Sequence, residues 1–244
     1  MGEHNFASLQ ARLQRSVDSA DRGQVMPLTA AALVEFDPIT RLEKLVAALE
    51  SERLLAPALV ESGEECITAA TRIPSPYGEV TVAFTDYEAL RRWAPQARPV
   101  PIAGRQQALM AMAETGGRLL INPVPDSEGG SSELSGIRLP RPAVQALAHG
   151  DSWLPPWRDD DLRTELQVKA DALQAGLNLT VSVLADVDPT LKVLLEFSVP
   201  YGVSGFEVKA ELARFHQDLS QVPRLQTAGE RIEFIPLLVG THAE

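Results

Sequence analysis

The stretch TVAFTDYEALRRW, Thr81 to Trp93, holds two hydrophobic periods side by side. Val80, Val82 and Phe84 alternate with small or polar neighbours, which predicts a strand over 79–84. Thr85-Asp86-Tyr87-Glu88 then has the form of a capping box, in which the Thr85 hydroxyl and the Glu88 carboxylate each satisfy a backbone donor, opening a short helix through Leu90 and Trp93. A strand running directly into a helix is the unit of a mixed α and β fold. The same rhythm continues outward. Upstream, Asp37-Pro38 caps a helix whose Ile39, Leu42, Leu45, Val46 and Leu49 share one face, and 53–60 reads as an apolar strand. Downstream, Arg98-Pro99-Val100-Pro101 is extended, and Gly104 permits a turn. Ile102, Gln106, Leu109, Met110 and Ala113 trace a helical stripe, and 119–122 returns as a strand. A turn-rich segment over 126–132, an edge strand over 134–139 and a helix over 141–149 complete a module spanning 37–150.

Asp151 to Asp161 contains adjacent prolines and an acidic run, which predicts a linker over 151–161. Beyond it, Leu177, Leu179, Val181 and Val183 alternate with polar residues, as do Leu191, Val193, Leu195, Phe197 and Val199. With Asp186 to Pro189 as the turn, these form an antiparallel hairpin, and 162–170 is expected to add a third strand. Ser204-Gly205-Phe206-Glu207 is a second capping box, followed by a helix burying Val208, Leu212, Phe215 and Leu219. A strand over 232–239 ends the pattern. The expected fold class is α+β in two modules: a mixed sheet with helices over 37–150, and an antiparallel sheet with one packed helix over 162–244. Residues 1–36, with Phe6, Leu9, Leu13 and Val17 at helical spacing, read as an appended helix and linker.

The succession Leu54-Leu55-Ala56-Pro57, Thr81 to Trp93, Arg98-Pro99-Val100-Pro101-Ile102 and Leu119-Leu120-Ile121-Asn122-Pro123 resembles the N-terminal SseB domain over about 40–147. The acidic half from about Asp161 is similar in position and type to the SseB C-terminal domain. The family is named for enhanced serine sensitivity, a cellular phenotype, so the resemblance implies a fold and brings no catalytic residues with it. Pro74-Ser75-Pro76-Tyr77-Gly78 departs from the pattern as a proline-rich loop before the VAFTD strand.

The formal charge of −11 disfavours nucleic acid as a partner. It is unevenly spread: −1 over 1–36, −3 over 37–150 and −7 over 151–244. A single cysteine, Cys66, excludes an intrachain disulfide and fits a reducing, cytoplasmic setting. No signal peptide, membrane span or membrane contact is expected. Glu64 and Glu65 would raise the Cys66 thiol and blunt it as a nucleophile. His4, His149, His216 and His242 stand in no nucleophile elbow, so no catalytic residue is assigned. Asp186 with Asp188, Asp159 to Asp161, and His216 with Asp218 read as turn, linker and helix face, not as metal ligands. Gly129-Gly130-Ser131-Ser132 lacks the ending of a phosphate loop, and Asn178-Leu179-Thr180 lies within a strand, away from any glycosylation machinery. Neither a metal nor a cofactor is expected.

Two features point to binding. From Ala89 to Ala113 there is no acidic residue, yet Arg91, Arg92, Arg98 and Arg105 all fall there. Guanidinium groups grip carboxylate or phosphate in a fork geometry, although exposed arginines also pair idly with neighbours such as Glu88 and Glu114. Trp153-Leu154-Pro155-Pro156-Trp157 sets two indoles at the module junction, either as anchors for a partner or folded back onto one domain. The expectation is a non-enzymatic protein that binds a protein partner, with homo-oligomers left open. The alternative is a sensor taking a small anion or amino acid at the arginines, and an enzyme ranks third.

Overall fold

The computed structural model describes residues 21–58, 71–76, 78–124, 135–173, 177–188 and 190–242. The helix expected around Phe6 to Val17, Cys66, and the turn segment over 126–132 lie outside the described residues.

Helix α1 (Pro27–Leu33) packs on α2 (Pro38–Leu49). Asp37 caps α2 by accepting from the Thr40 N–H at 2.7 Å, with Pro38 at the first helical position, and Leu42, Leu45, Val46 and Leu49 are buried as their spacing predicts. Residues 21–36 are fastened to this core. Thr29 and Ala32 are buried, and the Leu28 and Thr29 N–H groups donate to the Glu52 carboxylate at 2.8 and 2.7 Å.

Strand β1 (Arg53–Ala58) pairs antiparallel with β4 (Arg98–Ala103). A second, mixed sheet has the order β2 (Arg72–Ile73), β3 (Val80–Ala83), β5 (Leu119–Val124), β6 (Ser135–Leu139), with β3 and β5 parallel. A bridge between Leu55 and Phe84 joins the two sheets. The proline-rich loop closes the β2–β3 hairpin through reciprocal backbone bonds between Ser75 and Gly78. Helices α3 (Tyr87–Trp93), α4 (Gly104–Thr115) and α5 (Arg141–His149) complete the unit.

Two local expectations change. The cap of α3 is Asp86, which accepts from the Ala89 N–H at 2.8 Å. Thr85 is diverted: its N–H donates to Asn122 Oδ1 and its hydroxyl oxygen accepts from Asn122 Nδ2, both at 2.9 Å. Helix α4 buries Gly104, Gln107, Ala108, Ala111 and Thr115, while Leu109 is 47% exposed and Ile102 belongs to β4. The reason is close approach: a Cβ on Gly104 would lie 2.2 Å from the Leu49 carbonyl oxygen, so the helix runs too near its neighbours for a large apolar face.

The second unit follows one 3₁₀ turn (Pro156–Arg158). Residues 162–170 are not a strand; they belong to helix α6 (Asp160–Asp171), which buries Leu162, Leu166 and Ala170 one turn apart. The acidic run belongs to that helix, with Asp159 accepting from the Leu162 N–H at 3.0 Å and Asp160 and Asp161 in the first turn, where negative charge opposes the helix dipole. Strands β7 (Asn178–Val183) and β8 (Thr190–Pro200) form the expected antiparallel hairpin. The Ser204–Glu207 capping box opens α7 (Gly205–Leu219). A short helix α8 (Pro223–Ala228) carries the chain back, so β9 (Arg231–His242) lies parallel to β8, correcting the expected all-antiparallel sheet. The fold is α+β, with eight helices and three small sheets among the described residues. No helix among them is long and apolar enough to cross a membrane.

Asn122 has φ 51°, a left-handed conformation held by its two bonds to Thr85. Asn122→Ala removes both bonds and keeps the unfavourable backbone, so we expect it to lower the unfolding free energy by about 1–3 kcal/mol, read by urea denaturation. A change within error would show that the staple contributes nothing.

Candidate functional site

Helix α3 places Arg91 and Arg92 in its last turn, both exposed. The Arg91 guanidinium sits 5.8 Å from the centroid of the Tyr87 ring, a cation–π distance. Tyr87 lines an open cavity of about 320 Å³ with Asp21, Arg22, Gly23, Leu55, Pro99 and Pro101. Its apolar wall comes from β1 and β4, where Leu55 and Pro101 are direct cross-strand partners.

The other two arginines are elsewhere. Arg98 opens β4 on the sheet face opposite Pro99 and Pro101, because side chains alternate along a strand. Arg105 lies beyond the far end of β4, about 20 Å of strand away at the usual rise per residue. Its Nη2 donates to the His149 carbonyl oxygen at 3.2 Å, so it serves the C-terminus of α5. Arg91 and Arg92 follow one another on α3, Arg22 borders the cavity that Tyr87 lines, and Arg98 and Arg105 lie apart from them on β4 and α4. Among the described residues none of the four expected arginines makes an ion pair, while Glu114 lies 3.8 Å from Arg72.

Sequence reasoning missed the group that holds the cavity rim. Arg53 donates to both Asp21 oxygens at 2.6 Å, to the Thr85 carbonyl at 3.0 Å and to the Gln24 carbonyl at 2.7 Å. Hydrogen bonding from Arg53 is the main cause that holds the Asp21 carboxyl below its ordinary value, with burial opposing it. Asp21 and Thr85 each stand 32 residues from Arg53 and Gln24 stands 29 away, and no local pattern announces them.

Trp153 and Trp157 meet edge to face at 5.7 Å and fold back, half-buried, on the core of the first unit. Trp157 Nε1 donates to Glu43 Oε1 at 2.7 Å, and Arg158 Nε donates to the same oxygen at 2.8 Å. Together with the Arg118–Glu230 pair at 2.7 Å, they join the two units. A small cavity of about 20 Å³ beside the indoles is bordered by Pro140, Asp186, Asp188 and Leu191. Of the histidines, His149 ends α5 and His216 stacks edge-on against Phe234 at 4.8 Å. Among the described residues no three potential metal ligands cluster.

The first unit is thus a mixed α+β domain with an arginine-flanked cavity where β1, β4 and α3 meet. Residues 30–128 match the SseB protein N-terminal domain family, and the chain carries that domain there. No curated protein and no solved structure matches the chain. The matched span stops short of β6 and α5, although Leu139, Ala143, Val144 and Leu147 from those elements belong to the same core.

Burial raises the Glu43 carboxyl, but the hydrogen bonds from Arg158 and Trp157 outweigh it and leave the group below its ordinary value of 4.5. A carboxyl depressed by folding contributes stability above its unfolded value and loses that contribution as pH falls through the folded one. Acid titration below pH 4.5 should therefore change the Trp157 fluorescence as this joint is lost. In Glu43→Gln that step should vanish while the neutral-pH fold persists; an identical titration in both proteins would exclude Glu43 as the group responsible.

Proposed function

We propose that this chain is a non-catalytic, SseB-type binding protein that docks an acidic protein surface against Tyr87, Arg91 and Arg92. One observation carries the reading. In a chain of net charge −11, Arg91 and Arg92 are exposed on α3 with no carboxylate partner among the described residues, and Arg91 lies over the Tyr87 ring at the mouth of a cavity. An aromatic–arginine pair is the composition of an interface hot spot, and two guanidiniums close the exposed end of α3. The action would be docking without turnover, in a reducing compartment suited to a chain with one thiol. Residues 162–244 are proposed as the SseB C-terminal domain, and their acidic surface would repel the same partner and fix which unit it meets.

A second reading is supported by the cavity itself. About 320 Å³ bordered by Arg22, Tyr87 and two prolines has room for a small carboxylate or amino acid, which would make the domain a sensor.

The deciding experiment uses the full chain, immobilised, with lysate of the native host at low and high salt. Partners held by Arg91 and Arg92 should be retained at low salt, be lost at high salt, and drop at least roughly tenfold with Arg91→Glu plus Arg92→Glu. Unchanged retention by that variant would remove the docking reading. Thermal shift with serine, other small carboxylates and phosphate tests the sensor: saturable stabilisation growing as RT ln(1 + [L]/Kd) would favour it over protein docking.

A further inference from the structure

Strands β4, β7 and β9 are outer strands, as β2 and β6 are in the four-stranded sheet, and an outer strand offers a row of N–H and C=O groups to any strand that approaches. The direction of those groups follows from the bonds around them. Leu55 exchanges both backbone bonds with Phe84, on the side away from β4. By alternation Leu54, Ala56 and Ala58 turn to β4 and face Ile102, Val100 and Arg98. Pro99 and Pro101 therefore stand at the outward-facing positions, and the open edge of β4 carries carbonyl acceptors but no N–H at either place.

On β7, the bond from the Leu184 N–H to the Lys192 carbonyl sets the phase, so Leu179 and Val181 face outward. Both are occupied by one side chain from α6. Gln167 Nε2 donates to the Leu179 carbonyl at 2.9 Å, and Gln167 Oε1 accepts from the Val181 N–H at 3.2 Å. The carboxamide has the donor and acceptor of a peptide group, and it sits where a further strand would place one.

On β9 the phase follows from the same Lys192. Leu191, Val193, Leu195 and Phe197 turn to β9, and in a parallel ladder their register partners Ile232, Phe234, Pro236 and Leu238 point away. Pro236 thus removes the N–H at the centre of the outward row. A register irregularity at Phe197/Ser198, opposite Val239, breaks the same strand near its end.

We infer that these three edges are closed to strand addition by a second copy of this chain, and that β9, which among the described residues has no side-chain cover like that of β7, is held closed by Pro236. The test uses the full-length chain in sedimentation velocity. The wild-type mass should stay at 26.4 kDa as concentration rises, while Pro236→Val, with a continuous outward N–H row, should climb toward twice that value. A Pro236→Val chain that keeps wild-type circular dichroism and remains a monomer overturns the inference. Hydrogen exchange on the wild type keeps the question open to refutation if that variant does not fold. The amides of Ile232, Phe234 and Leu238 should exchange rapidly, while those of Glu233, Ile235 and Leu237 are protected; slow exchange in the first set would show an edge already paired and overturn it equally. Gln167→Ala should speed exchange of the Val181 amide roughly tenfold, and no acceleration would remove the carboxamide from its assigned role.

Discussion

Where β3 and β5 end side by side, Thr85 and Asn122 exchange two hydrogen bonds, and much of the first unit is arranged around that clasp. It forces a non-glycine residue into the left-handed region, a cost sustained only because both bonds are made in a well-packed setting. It also takes Thr85 out of helix capping and passes that role to Asp86, which fixes the phase of α3. That phase decides which way Tyr87, Arg91 and Arg92 face. The Thr85 carbonyl in turn receives Arg53, whose other donors hold Asp21 and close the rim of the cavity.

Charge is used differently in the two halves. In the first unit the buried acids are short-range fasteners: Glu52 holds the start of α1, and Asp21 is gripped by Arg53. In the second, acids crowd the beginning of α6 and the β7–β8 turn, where Arg224 and Lys192 answer some of them. Exposed pairs such as Arg163–Asp160 add little to stability. Glu43 differs because one carboxylate oxygen receives both an indole and a guanidinium from the connecting segment, which makes it a joint between units.

Local signals were legible wherever one residue type decides a local geometry. Asp37-Pro38, the Ser204–Glu207 box and the alternating run of β8 all read true, since capping and pleat periodicity act within a few residues. The Leu162–Ala170 segment misled because Leu162, Leu166 and Ala170 at four-residue spacing were set beside an obvious hairpin and read as its third strand. The acidic residues before it have linker composition, yet Asp159 caps the helix and Asp160 and Asp161 form its first turn. The α4 stripe differs for another reason: Leu109 faces out because Gly104 and two alanines are what fit against Leu49 and the sheet.

The candidate site divides in the same way. An acid-free window containing four arginines is a property of the chain read in line, and so is the presence of two tryptophans between the halves. Whether arginines converge is a matter of which ends of which strands they occupy: β4 separates Arg98 from Arg105, and α3 keeps Arg91 beside Tyr87. Composition and periodicity thus determined an α+β chain, because hydrophobic spacing and caps act over a few residues, and the succession of its motifs carried the resemblance to the SseB N-terminal domain. Tertiary packing decided the parallel placing of β9, the grip of Arg53 on Asp21, the folding back of the indoles and the seating of Gln167 on the edge of β7. Each of those joins groups far apart along the backbone, and their energies exist only once the chain has brought them into contact.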